Sequence, residues 1–208
     1  DKPLIVQYFV WLWQLLQGHL GYSMKSYEPV SAMIGSHIGP TLLLMGASLA
    51  LSLLIAVPAG IYSAVKQYSK GDYAVVTASF IGSSIPSFFL ALILIYIFTV
   101  KLGILPSGGM NTLGMDGSVA DTIRHMVLPV TVLAVSLAGS NIRYIRSSFL
   151  EILQQDYLRT ARAKGIGYKR VIWKHAMRNA LLPIVTVIGM QIPMLFGGAV
   201  IIEQVFSW

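Results

Sequence analysis

Residues 156–183 read DYLRTARAKGIGYKRVIWKHAMRNALLP. This compact basic island lies between long uncharged runs, and what those neighbours are decides the fold. Asp156 to Lys164 carries good helix formers with an acidic residue in the first turn, where the helix dipole favours it. Gly165 and Gly167 then break the helix and allow a sharp turn. Beyond them Tyr168, Val171, Ile172, His175 and Ala176 fall on one face at helical spacing, with Arg170, Lys174, Met177 and Arg178 on another. The expectation is a helix–glycine–helix unit. Its first helix is short, largely polar and projects outward; its second is basic and amphipathic and lies along a membrane surface. A solvated basic loop would explain the charge. It would not explain the small residues Thr160, Ala161 and Ala163, which suit insertion into another protein's cleft.

Working outward, the uncharged runs are long. Thr41 to Val65 is 25 residues without a charge, Ala74 to Val100 is 27, and Asn179 to Ile202 is 24. Spanning a bilayer takes about 20 apolar residues, so each is read as a transmembrane helix with some tilt. Met126 to Ile142 is a fourth uncharged run of 17 residues, extended by its helical pattern to about Leu150. Pro58 and Pro86 permit kinks in the first two spans, as membrane helices tolerate when neighbours satisfy the backbone. Ala56-xxx-Gly60 and the cluster Gly82, Ser83 and Ser84 allow close helix contact. The run that ends at Ile202 is interrupted by Pro183, Pro193, Gly189, Gly197 and Gly198, and Glu203 follows it as either an outer gate or an interfacial anchor.

The remaining segments are polar or too short to span. Leu4 to Gln17 has Gln7, Gln14 and Gln17 on one helical face and two tryptophans suited to a headgroup interface, so it is read as a short interfacial helix ended by Gly18. Residues 18–40, rich in Gly, Ser and Pro, are expected to form a loop. So is Lys101 to Asp121, with a turn at Asp116-Gly117-Ser118 and none of the acidic spacing of a calcium loop. Domain organisation follows: 1–40 is an extracytoplasmic segment and 41–203 a transmembrane domain that includes a cytoplasmic segment, 151–178. The chain begins abruptly with DKPL and ends on VFSW, as part of a longer protein would.

Composition agrees. Of 208 residues 55% are hydrophobic and only 11% charged, against roughly 25% charged in a soluble domain, and mean hydropathy is +0.70. The net charge of +7 is not spread over a hydrated surface as nucleic-acid binding requires. With no cysteine, disulfide scaffolds and thiolate metal sites are excluded. Four spans put alternate loops on opposite sides. One side then holds Lys66, Lys70 and the nine basic residues from Arg143 to Arg178, eleven of the fifteen in the chain. The positive-inside bias makes that side cytoplasmic.

Within the third span Ser136, Ser140, Arg143 and Ser147 form one helical stripe. An ionisable group in lipid must face protein or water, so the stripe either lines a translocation path or ends in arginines that snorkel to the surface. Gln191 of the fourth run joins the path candidates. No span contains Asp or Glu, which argues against an ion-coupled secondary transporter. His125 and His175 lie at span edges and His19 and His37 outside, which argues against an intramembrane enzyme.

The segment DYLRTARAKG…HAMRNALLPIVTVIG resembles the coupling (EAA) loop of bacterial ABC-transporter permeases, in the branch that takes up oligopeptides, dipeptides, nickel or glutathione. DKPLIVQYFVWLWQLLQGHLGYSM, PTLLL, SIPSFFLALILIYIF, KLGILPSGG, RHMVLPVTVL, IRSSFLEIL and GGAVIIEQVFSW resemble the same branch, so the likeness covers essentially the whole chain. Of the motif Glu-Ala-Ala-xxx-Gly, Arg159-Thr160-Ala161 and Gly165 are present, with Arg where the family has Glu.

The resemblance implies an all-α, polytopic membrane bundle of the MetI-like permease fold, with four of about six spans in this chain. Further helices would precede and follow it. It implies a non-enzymatic importer subunit of the bacterial cell (inner) membrane. Its partners would be a second homologous permease, two ABC ATPase subunits and an extracytoplasmic binding protein. Asp156, Tyr157, Arg159, Thr160, Ala161, Lys164 and Gly165 would form the ATPase-coupling element. The chain would bind no cofactor or metal itself; ATP and Mg would sit on the partners, consistent with the absence of a Gly-x-x-x-x-Gly-Lys loop. Peptides are the expected cargo, with nickel, a metal–chelator complex or glutathione as alternatives.

Overall fold

A computed structural model describes residues 3–114, 117–197 and 199–208. The expected turn at Asp116 and the glycine at 198 lie outside the described residues. The chain forms eight helical elements among them: α1 (Leu4–Leu16), α2 (Val30–Val65), α3 (Lys70–Ser84), α4 (Ser87–Lys101), α5 (Val119–Leu153), α6 (Asp156–Ala163), α7 (Tyr168–Gly197) and α8 (Val200–Val205). Ile95–Lys101 of α4 and Val171–Ala176 of α7 are wound as π-helix. Three helices are long and apolar enough to cross a membrane, and the bent pair α3–α4 makes a fourth. No residue of α1 is buried.

Two helices are longer than the uncharged runs implied. α2 begins at Val30 rather than at residue 41, so 30–40 is helix and not loop. Pro29 stands at its N-terminal boundary, where a missing N–H costs nothing, and Pro40 removes only one interior hydrogen bond. The loop that remains, 18–29, is closed by Ser23 N–H donating to Glu28 O at 2.9 Å. α7 is longer still. The basic segment after Gly167 does not form a separate surface helix but runs unbroken into the fourth span. Its face of Val171, Ile172 and Ala176 is buried in the bundle, which explains the amphipathic pattern without a lipid headgroup.

The run Ala74 to Val100 is not one kinked helix. α3 and α4 meet at 96° across Ile85 and Pro86. Proline pushes its predecessor out of the helical region, and Ile85 is accordingly extended at φ −72°, ψ 124°. Each leg is about 22 Å long at 1.5 Å per residue, too short to span alone. Together they do cross. The start of α3 is fastened to Arg146 of α5, while the loop after α4 is fastened to His125. Those two residues are 21 positions apart on one helix, about 30 Å along it, the thickness of a hydrocarbon core. The pair is therefore a broken span, and four crossings stand.

Packing is tightest where side chains are smallest. A Cβ on Gly60 of α2 would lie 3.0 Å from Ile142 O of α5, and one on Gly139 of α5 would lie 2.5 Å from Ser79 O of α3. α5 is thus the central post, with α2 on one side and α3 on another. Around it the buried apolar residues form two clusters. One, at the basic end, joins Ala56, Ile61, Ile142, Ile145 and Phe149 to Leu158, Val171, Ile172 and Ala176. The other, at the opposite end, joins Leu44, Ala91, Leu128, Val132, Ile202 and Phe206.

Polar ties close both ends. At the basic end the Arg146 guanidinium donates to both carboxylate oxygens of Asp72 at 2.8 and 2.9 Å, Ser63 Oγ of α2 donates to the same carboxylate, and Tyr68 N–H adds a bond at 2.9 Å. Three helices meet on one buried ion pair. At the opposite end Asp121 accepts from Thr112, and His125 Nδ1 faces the carbonyls of Gly108 and Gly109. Glu203 accepts from Thr41 Oγ1 at 3.0 Å and from Ala199 N, so it ties α8 to α2 one residue beyond Pro40. Removing one partner of a buried pair strands the other charge. We expect Asp72→Ala or Arg146→Ala to destabilise the bundle by about 3–5 kcal/mol and the double replacement to cost less than the two together. Thermal unfolding of the purified variants in detergent measures this.

Candidate functional site

α6 is an eight-residue helix stapled to the bundle by two side chains. Leu158 is fully buried and Ala161 nearly so, both inside the cluster formed with Phe149, Val171, Ile172 and Ala176. Its other residues, Asp156, Tyr157, Arg159, Thr160, Arg162 and Ala163, are exposed. Ala161, expected to enter a partner's cleft, faces the other way: its small side chain allows α6 to sit close on its own bundle. Thr160 and Ala163 remain on the open face.

The end of α6 explains the glycine. Gly165 has φ +77°, with its N–H donating to Arg162 O at 2.9 Å and the next N–H, of Ile166, donating to Ala161 O at 3.3 Å. That pair of bonds is a Schellman cap, in which the glycine takes the left-handed conformation and the following apolar residue packs back on the helix. Ile166 does so. A Cβ at 165 would meet no neighbour within 4 Å, so the requirement is conformational rather than steric. Lys164 ends the helix, exposed. Tyr157 Oη accepts from Asn179 Nδ2 at 2.6 Å, tying the start of α6 to α7, and Arg162 stacks over Tyr168 at 5.7 Å. The Asp156–Arg159 pair at 3.4 Å is open to solvent and contributes little.

The second feature is a polar layer between the two apolar clusters. Asn141 Nδ2 of α5 donates to Ser52 Oγ of α2 at 3.0 Å, and Gln191 Nε2 of α7 donates to Asn141 Oδ1 at 2.6 Å. Ser52 and Asn141 are buried. Beside them a cavity of about 410 Å³ opens between α5 and α7, lined by Ser140, Asn141, Tyr144, Met190, Gln191 and Met194 among others. Of the five path candidates, Ser140 and Gln191 line it. Arg143 does not: its guanidinium turns to α3, donating to Ser79 O at 3.1 Å and Ser83 Oγ at 3.0 Å, over the Phe80 ring. It neither snorkels nor reaches the cavity. Ser136 is half-buried and Ser147 exposed. The stripe is thus divided among a cavity wall, a helix contact and the surface.

Asn141, Ser52 and Asp72 were not singled out by sequence. Asn141 could have been: it is an uncharged amide in the interior of a span, where an unpaired polar group is expensive. Asp72 lies in what reads as a loop, and nothing local marks its partner 74 residues away. Among the described residues no three His, Asp or Glu side chains converge on a point.

Together these features define a polytopic helical membrane protein with an exposed, stapled helix at its basic end and a mostly apolar groove between two of its spans that carries two amides. The chain belongs to the family of binding-protein-dependent transport system inner membrane components, whose model matches residues 56–208. It is 50% identical to a protein of Brucella ovis named "Putative peptide permease protein", 46% to an oligopeptide transport system permease protein of Bacillus subtilis and 41% to a glutathione transport system permease protein of Pectobacterium atrosepticum. Each match covers all of this chain and 65–66% of the relative, so the chain spans about two thirds of the length of the curated relatives it matches.

If the Schellman cap sets the end of α6, Gly165→Ala costs about 1–2 kcal/mol locally and frays the turn, while Gly165→Asn, which tolerates the left-handed region, is milder. Trypsin cleavage after Arg162 and Lys164 in vesicles with that end accessible reports it: faster in Gly165→Ala than in Gly165→Asn, and slowest in the wild type.

Proposed function

We propose that this chain is the permease subunit of an ATP-driven, binding-protein-dependent importer in a bacterial cytoplasmic membrane, and that its cargo is di- or oligopeptide. The observation that carries the reading is α6: a helix whose inward face is locked into the bundle and whose outward residues Arg159, Thr160 and Ala163, with Lys164 just beyond, are exposed. A helix so mounted is a handle. In this reading 41–203 is the membrane domain, 151–178 its cytoplasmic coupling segment, and the basic end faces the cytoplasm by the positive-inside bias.

Two ABC ATPase subunits carry ATP and Mg and hydrolyse ATP; this chain supplies no catalytic residue. α6 seats in a groove on one ATPase, a second homologous permease completes the path, and an extracytoplasmic binding protein delivers the cargo. Closure of the ATPase pair moves α6, and the broken span α3–α4 and proline-bearing α7 accommodate the rearrangement. Nucleotide thereby biases a two-state equilibrium. The names of the Brucella and Bacillus relatives favour peptide; glutathione, named for the Pectobacterium relative, is the second reading, being itself a small amide-linked molecule.

Arg159→Glu and Thr160→Trp lie on the bare face and leave the staple intact. In the full transporter they are expected to reduce cargo-stimulated ATP hydrolysis and uptake about tenfold or more with unchanged membrane levels, whereas Leu158→Ala lowers stability as well, by about 2–5 kcal/mol. Unchanged coupling in both surface variants would sink the handle assignment.

A further inference from the structure

The last turns of α2 and the first turns of α7 leave a groove of about 380 Å³ between them, lined by Val57, Ile61 and Tyr62 of the one and Ile172, Trp173 and Met177 of the other. No charged side chain and no residue of another helix lines it. Here α2 is leaving the membrane, because Thr41 to Val65 is uncharged and Lys66 follows. The groove therefore lies just inside the hydrocarbon edge at the basic end, where apolar surface meets acyl chains rather than water.

The mouth of the groove is of a different kind. Lys66 stands one turn beyond Tyr62 on α2, its N–H bonded to Tyr62 O, and Lys169 stands one turn before Trp173 on α7. Since α2 and α7 cross in opposite directions, both lysines come to the same end of the groove. Both are exposed, as are Arg170 and Lys174 beside them, and among the described residues none of the four forms an ion pair. The carboxylates of that end are engaged or elsewhere: Asp72 is bound to Arg146, Asp156 pairs with Arg159, and Glu151 is on α5. Two aromatic donors complete the mouth. The Tyr62 hydroxyl sits against Gly71, where a Cβ would collide with it, so its ring covers the groove while its O–H reaches the α2–α3 turn. Neither that O–H nor the Nε1–H of exposed Trp173 has a hydrogen-bond partner among the described residues.

The positive-inside bias accounts for cations at this end, but not for an apolar groove directly beneath them. A slot within the hydrocarbon, two aromatic rings at its edge and unpaired cations above it together match a phospholipid whose headgroup is anionic. We propose that the groove between α2 and α7 binds an anionic phospholipid of the cytoplasmic leaflet, with an acyl chain along Val57, Ile61 and Met177 and the headgroup phosphate held by Lys66 and Lys169. Tyr62 and Trp173 donate to the same headgroup. A lipid so held braces the start of α7 against α2, beside the staple of α6. The assignment uses the cytoplasmic placement of the basic end and is independent of the cargo.

Trp173 is the reporter for the test. The complete transporter is reconstituted in phosphatidylcholine vesicles with a rising fraction of brominated phosphatidylglycerol or, separately, of brominated phosphatidylcholine. The emission of Trp173 is taken as the difference between the wild type and Trp173→Phe. One Lys or Arg near the surface favours an anionic lipid about fivefold. Brominated phosphatidylglycerol is therefore expected to half-quench Trp173 at a mole fraction about fivefold or more below that of brominated phosphatidylcholine. Lys66→Gln combined with Lys169→Gln is expected to reduce that preference about fivefold or more. Lys66→Arg combined with Lys169→Arg keeps both cations and the preference. Lys25→Gln combined with Lys101→Gln removes the same charge at the opposite end and leaves the preference unchanged. Equal quenching by the two lipids in the wild type, or a preference undiminished by loss of both lysines, overturns the site. So does Trp173 emission that neither lipid quenches, the result expected if another protein chain fills the groove.

Discussion

A guanidinium and a carboxylate held between three apolar helices set the basic end of this bundle. Asp72 is nearly fully buried and Arg146 mostly so, in a protein region where neither charge survives alone. Each charge therefore demands the other, and the Ser63 hydroxyl and Tyr68 N–H that complete the carboxylate bring α2 and the α2–α3 turn into the same bond set. This geometry places the start of α3 against α5 about one helical turn from Arg143, which reaches the same helix at Ser79 and Ser83. Two arginines on successive turns of α5 thus hold one helix along its length. Because α3 is held so firmly, its axis cannot follow the change of direction at Ile85 and Pro86, and the bend of 96° is borne entirely by the break.

Much of this was legible in the sequence, and the reason is periodicity and solvent. Uncharged runs of more than about 20 residues leave few choices, and charge asymmetry orients them. The Ala56-xxx-Gly60 pair and Gly82 are at real contacts, against α5 in both cases. Failures came where charge or proline was treated as a boundary. Pro40 and the Gly and Ser residues before it do not stop α2, where the Ser36 hydroxyl donates back to Met33 O within the helix. Arg170 and Lys174 do not mark a separate surface helix, because the opposite face of the same turns is buried in the basic-end cluster.

The candidate site was less legible. Helical spacing correctly groups Ser136, Ser140, Arg143 and Ser147 on one stripe, yet a stripe is only a direction on one helix. What each residue meets depends on three neighbours whose placement is non-local: α3 takes Arg143, α7 approaches Ser140, and Ser147 meets neither closely enough to be buried. The turn at the end of α6 was more legible because its signals are local. The left-handed glycine, the apolar residue after it and the acidic first turn are all within ten residues, and all are present in the structure.

The arrangement of clusters has a mechanical consequence. α6 shares its apolar contacts with the last turns of α5 and the first turns of α7, so a force on its bare face is delivered to both helices at once. They respond differently. α5 is pinned along its length by α2 and α3 through close glycine contacts and two arginines. α7 is sparsely buried beyond its first turns, with Ala180, Ile184 and Val187 its buried apolar residues there. Farther along, the Gln191–Asn141 hydrogen bond adds a directional tie to α5. A displacement imposed at α6 would therefore concentrate in α7 and change the width of the cavity between it and α5. The polar layer is both part of the wall of that cavity and the tie across it, so breaking the tie and widening the cavity would be one event.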